Sequence, residues 1–132
     1  MNYSSVYVTL ASVHVDALVA FYGDLLGQQV QRLIPSRYGE FWVSGLRLAI
    51  FKPRGDHLVE FKATGSGGMS LCLEVEDLDE AIAHLTHLGQ PPPGPIITAP
   101  HGREIYAYDP DGNRLILHQS PPGITKASTE PE

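Results

Sequence analysis

The chain has 132 residues, of which 42% are apolar and 18% are charged, as in a single globular domain. Its formal net charge of −6 argues against nucleic acid as a partner, because such binding relies on Lys and Arg that neutralise phosphates. The apolar stretches are as short as strands, far below the roughly 20 residues of a membrane span, and the first residues lack the pattern of a signal peptide. The one cysteine excludes an internal disulfide and fits a reducing compartment. We therefore expect a cytoplasmic protein that binds neither nucleic acid nor membranes.

The first segment with a clear pattern is an alternating strand followed by a helix. Apolar and polar residues alternate from Val6 onward, which is typical of a strand with one buried face. The spacing then becomes helical and stops at Leu26-Gly27, where glycine suits the left-handed conformation that ends many helices. The pattern predicts a helix over about residues 14–26.

Two strands joined by a tight turn complete this first module, which covers about residues 5–52. The strands, at about residues 39–43 and 46–51, flank Ser44-Gly45, a suitable pair for a two-residue hairpin turn. A connector follows over about residues 53–68, and its Gly- and Ser-rich end indicates flexibility.

A second module repeats the layout of a strand, a helix and further strands. Asp77 and Glu80 have the spacing of a capping box, and helical spacing again stops at Leu88-Gly89. This pattern predicts the second helix over about residues 77–88.

Two strands again follow this helix, at about residues 104–108 and 114–118. They flank the turn sequence Asp109-Pro110-Asp111-Gly112-Asn113, and the module ends near residue 119, having begun near residue 69. The tail, about residues 120–132, is rich in Pro, Ser, Thr and Glu, a composition that predicts disorder.

Together these features resemble the vicinal oxygen chelate superfamily of glyoxalase I, extradiol dioxygenases and bleomycin-resistance proteins. The most specific pieces are Phe21-Tyr22 followed by Leu25-Leu26-Gly27, and the turn from Asp109 to Asn113. The resemblance implies a single α+β domain over residues 1–132. In it, two βαβββ modules form a curved eight-stranded sheet around a cleft, with the helices outside. It also implies a homodimer.

Metal-using members of that superfamily carry their ligands at four cleft-facing strand positions. Counted from the shared motifs, these positions are Tyr7, Ala49, Ser70 and Ile116 in this chain. Ala49 and Ile116 have no donor atom, whereas a catalytic divalent metal needs three or more carboxylate, imidazole or thiolate ligands. We therefore predict no metal ligands at these positions and no cofactor.

A displaced metal site is conceivable in the second module. His118, Glu74 and Cys72 are on strand faces that could turn toward the cleft. The interpretation we favour is that His118 forms a hydrogen bond near the cleft rim, that Glu74 reaches solvent and that Cys72 is buried and unreactive. His101 lies in a loop that could approach the cleft, although nothing in the sequence fixes it there.

If position 49 faces inward, the hairpin register turns several other side chains the same way. The predicted ligand-binding residues are Tyr7, Tyr38, Glu40, Trp42, Arg47 and Phe51 in the first module and Glu74, Arg114 and His118 in the second. Aromatic walls with a few polar groups are the usual lining of a small-molecule site. The alternative for Trp42 is packing in a core or a dimer interface.

Four functions stay open on these grounds. We favour a metal-free small-molecule binding protein that sequesters a partly aromatic ligand. The net charge suits a cation, whereas the arginines beside the cleft leave the sign of the ligand open. The alternatives are a metal-dependent lyase or dioxygenase with displaced ligands, a metal-free enzyme that uses His118 or Glu74 as a general base, and a structural dimeric module. No catalytic residue is assigned.

Overall fold

The computed structural model describes residues 1–2, 4–62 and 67–122, and the chain divides into two units, Met1–Ser66 and Gly67–Glu132. Each unit contains a strand, a helix and three further strands in that order. The predicted pair of βαβββ modules and the α+β fold class are thereby confirmed.

Unit one forms a four-stranded sheet in the order β1-β4-β3-β2. Its elements are β1 (Val8–Ala11), α1 (Val15–Leu26), β2 (Arg32–Ile34), β3 (Tyr38–Val43) and β4 (Leu46–Phe51). β1 runs parallel to β4, a pairing that requires a crossover connection, while β3 pairs antiparallel with β2 and β4. The predicted hairpin turn is confirmed, because Ser44 and Gly45 both have positive φ, 46° and 81°, as the primed turns require.

Helix α1 covers one face of this sheet. Its buried residues Val15, Leu18 and Tyr22 recur at the spacing of one helical stripe, and the helix packs on β3 and β4. The Phe41 ring lies 3.8 Å from the place that a Cβ on Gly23 would occupy, so Phe41 faces the helix. Because side chains alternate along a strand, the neighbours of Phe41 on β3 point to the opposite face.

Unit two has the same topology, with the strand order β5-β8-β7-β6 and β5 parallel to β8. Its elements are β5 (Leu71–Glu74), α2 (Leu78–His87), β6 (Ile97–Ala99), β7 (Gly102–Tyr108) and β8 (Arg114–Gln119). The Asp77 side chain accepts a hydrogen bond of 3.1 Å from the Glu80 backbone N–H, which confirms the predicted start of the helix. Leu78 and Leu85 are buried, and α2 packs on β8.

The turn between β7 and β8 is held by a single buried carboxylate. Asp109 accepts hydrogen bonds from the backbone N–H groups of Asp111 and Asn113, both at 2.9 Å, and from the Asn113 amide at 2.8 Å. This turn fixes the register of the two strands, in which Glu104 is paired with His118.

Two parts of the chain differ from the sequence interpretation or lie outside the described residues. The first part of the predicted connector forms a 3₁₀ helix, Gly55–Phe61, whose Phe61 ring meets Phe51 edge to face at 5.5 Å between centroids. This aromatic contact joins the segment to β4. The Gly- and Ser-rich residues 63–66 and the tail 123–132 lie outside the described residues. Within the described part of the chain, no helix has the length and apolarity needed to cross a membrane.

Candidate functional site

The face of the unit-one sheet opposite α1 carries a group of aromatic and charged side chains, which we call the Glu40 cluster: Tyr7, Tyr38, Glu40, Trp42 and Arg47. Glu40 is at its centre and is only 3% exposed. The Tyr38 hydroxyl donates to Glu40 Oε1 at 2.5 Å, and the Trp42 indole N–H donates to Oε2. The Arg47 Nε atom lies 3.7 Å from the same Oε2.

These contacts determine the charge state of the cluster. Hydrogen bonds from Tyr38 and Trp42 lower the pKa of Glu40, and they outweigh the opposing effect of burial. Burial, together with the adjacent Glu40 carboxylate, raises the pKa of Tyr38 to about 12. At neutral pH, Glu40 is therefore ionised and Tyr38 keeps the proton that it donates.

Arg47 links the two most exposed rings of the cluster. Its guanidinium carbon lies 4.9 Å from the centroid of the Trp42 ring and 5.4 Å from that of Tyr7, within range of cation–π contacts. Trp42 is nevertheless 54% exposed and Tyr7 47% exposed. The result is a pair of exposed rings, of which Trp42 is anchored to both Glu40 and Arg47.

The remaining unit-one positions have simpler surroundings. Ala49 pairs with Glu40 in the β3–β4 ladder and is fully buried. Phe51, predicted to contact ligand, pairs with Tyr38 in the ladder and packs its ring against Phe61. Five of the six predicted unit-one residues are thus brought together, and Phe51 lies beside them.

The face of the unit-two sheet opposite α2 carries acidic groups and histidines. Glu74, His118 and Glu104 occupy neighbouring positions on three adjacent strands, with His118 in the middle. His118 is 7% exposed, and its Nδ1 lies 2.6 Å from Glu74 Oε1 while its Nε2 lies 2.9 Å from the His101 carbonyl oxygen. Because a carbonyl oxygen can only accept, Nε2 is the donor in that contact.

Glu74 reaches solvent only in part, since its side chain is 28% exposed, and it has partners that the sequence did not predict. Its second oxygen accepts hydrogen bonds from the backbone N–H and the hydroxyl of Ser120, at 3.0 and 2.8 Å. Burial raises the pKa of Glu74, but the hydrogen bonds from His118 and Ser120 outweigh it, and the net pKa is lowered. The parallel pairing of β5 with β8 places Glu74 directly beside His118, a proximity that the sequence cannot reveal.

The predicted site residues did not include His101 and Glu104, although the sequence indicated that the loop of His101 could approach the cleft. The His101 ring lies parallel to that of His118, with 5.3 Å between centroids, and its Nε2 is 3.3 Å from Glu104 Oε1. The sequence feature that could have identified Glu104 is its position on the same strand face as Tyr106 and Tyr108. The β6–β7 turn that brings His101 back onto His118 leaves no such pattern.

Arg114 forms hydrogen bonds within its own unit, and Cys72 has surroundings other than those predicted. Arg114, expected to contact ligand, donates from Nε to Ser70 Oγ at 3.1 Å and from Nη2 to the Gly67 carbonyl, so it holds the chain that enters β5. Cys72 is exposed, not buried, because its strand position faces away from α2. Partial burial of its sulfur and the charges of Glu74 and Glu104 raise its pKa, which keeps the thiol protonated and unreactive.

The four positions at which metal-using relatives carry ligands do not fit a metal in this chain. Ala49 and Ile116 have no donor atom. The Tyr7 ring lies against Arg47, and the Ser70 hydroxyl accepts from Arg114. These side chains supply no carboxylate, imidazole or thiolate, the groups that usually bind a catalytic divalent metal.

A different set, His101, Glu104 and His118, offers ligand atoms within 4.8 Å of one another. Its two imidazoles and one carboxylate are of the type that zinc accepts. In the described arrangement, however, both nitrogens of His118 face the oxygens of Glu74 and His101, and the two rings are parallel. Among the described residues, Cys72 and Glu74 do not belong to a group with His118 whose ligand atoms all lie within 4.8 Å of one another, so the trio considered from sequence is not brought together.

The sequence model of the Glyoxalase/Bleomycin resistance protein/Dioxygenase superfamily matches residues 4–117 of the chain. The chain belongs to this superfamily. A search of the curated proteins finds no match.

Solved structures similar to this glyoxalase-superfamily chain cover nearly all of it. Protein ATC0852 from Agrobacterium tumefaciens is 28% identical, with a TM-score of 0.70, over 87% of this chain and 95% of that one. A glyoxalase-related enzyme from Fulvimarina pelagi is 24% identical, with a TM-score of 0.72, over 97% and 96%. The fosfomycin resistance protein FosX from Listeria monocytogenes is 21% identical, with a TM-score of 0.68, over 89% and 90%. The similarity to the last two structures shows only that they share the fold of this chain.

Proposed function

We propose that this protein is a small-molecule binding protein of the glyoxalase/bleomycin-resistance type, which sequesters a partly aromatic ligand on the Glu40 cluster without a metal at the usual positions. The observation that carries the proposal is the half-exposed Trp42 ring, held by Glu40 through its N–H and by Arg47 over its face. A ring fixed in this way offers contact area to a ligand with little further loss of conformational freedom. Tyr7 adds a second exposed ring beside it.

The experiment that tests this proposal is a fluorescence titration. The chain has a single tryptophan, so its emission reports on the Glu40 cluster alone. We expect members of a panel of aromatic compounds to change this emission in a saturable way. Tyr7→Ala should weaken binding by about tenfold, the loss of roughly 1.4 kcal/mol of ring contact. Tyr106→Ala, which removes a comparably exposed tyrosine from unit two, is the matched control and should leave the affinity unchanged.

Two outcomes of that titration would contradict the proposal. If no panel compound changes the emission at millimolar concentration, small-molecule binding loses its support. If the emission instead depends on protein concentration, with a matching change in mass by light scattering, the cluster is a dimer interface. The homodimer and the cytoplasmic location themselves stay predictions.

A second candidate is a metal-dependent lyase or dioxygenase with displaced ligands, favoured by the proximity of His101, Glu104 and His118. The test is to treat the protein with a chelator and dialyse it against micromolar Zn²⁺, Mn²⁺ or Fe²⁺. If the protein is a metal-free binding protein, as we expect, it should retain far less than one ion per chain. Elemental analysis of about one bound ion, lost in both His101→Ala and Glu104→Gln, would favour the second candidate. His84→Ala, on the exposed side of α2, controls for surface histidine binding.

A metal-free enzyme that uses His118 or Glu74 as a general base has less support than the binding protein or the metal-dependent enzyme. A base needs a lone pair directed at its substrate, within about 3 Å. Both nitrogens of His118 already face oxygen acceptors, and both oxygens of Glu74 already accept hydrogen bonds.

A further inference from the structure

We infer that the ligand of the Glu40 cluster is an anion: a flat molecule with a carboxylate or phosphate group that Arg47 binds while its ring contacts Trp42 and Tyr7. The inference rests on the proposed function, because it takes the cluster to be a binding site. It adds the charge of the ligand, which the sequence leaves open. The negative net charge of the whole chain would instead favour a cation.

The first argument is the charge of this face of the sheet. Among the residues of β1 to β4, Glu40 is the one carboxylate, whereas Arg32 and Arg47 are both cationic. Arg32 pairs with Glu40 across the β2–β3 ladder, and its guanidinium carbon is 5.9 Å from the centroid of the Tyr38 ring. Within the cluster Glu40 and Arg47 cancel, and the neighbouring Arg32 gives this face one formal positive charge, although the chain as a whole carries −6.

The second argument is that the Glu40 carboxylate has no capacity left for a ligand cation. It is buried, and its two oxygens accept hydrogen bonds from Tyr38 and Trp42. These bonds hold its pKa below the ordinary value, so its negative charge is already stabilised by groups of the protein itself. A cation approaching the cluster would meet the exposed edge of Arg47 and not an exposed carboxylate.

The third argument concerns the hydrogen-bond donors of Arg47. Its ion pair to Glu40 runs through Nε at 3.7 Å, which is longer than a hydrogen bond. Among the residues that the structure describes, none accepts a hydrogen bond from its two terminal nitrogens, and the side chain is 35% exposed. A guanidinium presents its donors as a planar fork that matches the paired oxygens of a carboxylate or phosphate.

The fourth argument is the distance from this fork to the aromatic rings. Because the guanidinium lies 4.9 Å from the Trp42 centroid and 5.4 Å from that of Tyr7, an oxyanion bound to it is already beside both rings. A ring attached directly to the oxyanion, or through one or two atoms, could therefore stack on exposed aromatic surface. The cluster therefore fits an aromatic acid or an aryl phosphate better than it fits a ring without an oxyanion or an oxyanion without a ring.

The test is a charge-matched panel titrated against Trp42 emission and repeated by calorimetry: benzoate, phenyl phosphate, benzyl alcohol and benzylammonium. We expect the two anions to bind at least tenfold more tightly than the alcohol or the ammonium. Comparison of benzoate with phenyl phosphate distinguishes the two oxyanion classes. Arg47→Met, which keeps the apolar stem and removes the charge, should weaken binding of the anions at least tenfold more than binding of the alcohol, because the alcohol loses only the support that Arg47 gives to the Trp42 ring. Arg37→Met, at an exposed arginine outside the cluster, should change neither.

The outcomes separate this inference from the function on which it rests. If the alcohol or the ammonium binds as tightly as the anions, or if Arg47→Met keeps the preference for anions, the inference is wrong and the binding function stands. If nothing in the panel binds, both are wrong. Circular dichroism checks the fold of each variant. Should Arg47→Met not fold, the charge preference of the wild type and of Arg47→Lys decides the question.

Discussion

Gly102→Ala is expected to destabilise the protein by on the order of 4 kcal/mol, or to prevent folding, because two independent effects add at this position. Gly102 has φ of 132°, a backbone conformation that residues with a side chain rarely adopt. An added Cβ would also press against the Gln119 carbonyl oxygen and lie 2.9 Å from His118 Nε2. The absence of a side chain here is what lets β7 start close enough for His118 to bond the His101 carbonyl.

The measurement is urea denaturation followed by circular dichroism, with Gly94→Ala as the control. No atom lies within 4 Å of the place that a Cβ on Gly94 would occupy, and its φ is not positive. This substitution should therefore change the free energy of unfolding by less than about 0.5 kcal/mol. Equal midpoints for the two variants would show that the close approach at Gly102 relaxes without cost.

Glu40→Gln is expected to lower the free energy of unfolding by about 2 kcal/mol at pH 7, because the amide keeps one acceptor oxygen where the carboxylate has two. The Gln NH₂ group would then face a donor, either the Tyr38 hydroxyl or the Trp42 indole N–H. The Trp42 ring should lose its fixed position, which a faster decay of its fluorescence anisotropy would report. Glu60→Gln, an exposed carboxylate on the 3₁₀ helix, is the matched control.

The effect should depend on pH in a defined direction. The pKa of Glu40 in the folded protein lies below its ordinary value of 4.5. The stabilisation from its charge is therefore complete above pH 4.5 and is lost as the pH falls through the lowered pKa. The difference between the wild type and Glu40→Gln should accordingly shrink below about pH 4.5. A difference that stays constant down to about pH 3 would contradict the role of the charge.

The β3–β4 part of the Glu40 cluster could be predicted from the sequence because it follows from one local register, whereas Tyr7 was placed by counting from motifs shared with the superfamily. A two-residue turn at Ser44-Gly45 fixes which residues of β3 and β4 are opposite one another, and alternation then assigns their faces. Trp42 opposite Arg47 and Glu40 opposite Ala49 follow without knowledge of any distant contact. What the sequence could not give is the sign of the local charge, because Arg32 joins this face through the separate pairing of β2 with β3.

The unit-two group could not be predicted to the same extent, because its contacts are not local. Glu74 reaches His118 through a parallel pairing whose register is set across more than forty residues of chain. His101 reaches the same ring through a turn whose path depends on the close approach at Gly102. The helix boundaries, in contrast, were well marked by the Asp77 cap and by Gly27, which has φ of 63°. The 3₁₀ helix was missed because its stabilising partner, Phe51, lies in another element.

The Asp109 turn has a consequence for how relatives of this protein are classified. Its carboxylate accepts hydrogen bonds from three neighbouring N–H groups, so this diagnostic stretch of the sequence stabilises the turn between β7 and β8. Sequence similarity in this turn therefore indicates that two chains share a fold. It does not indicate which ligand either chain binds. Side chains such as those at positions 42 and 47 lie outside this turn and can change while the family signature stays intact.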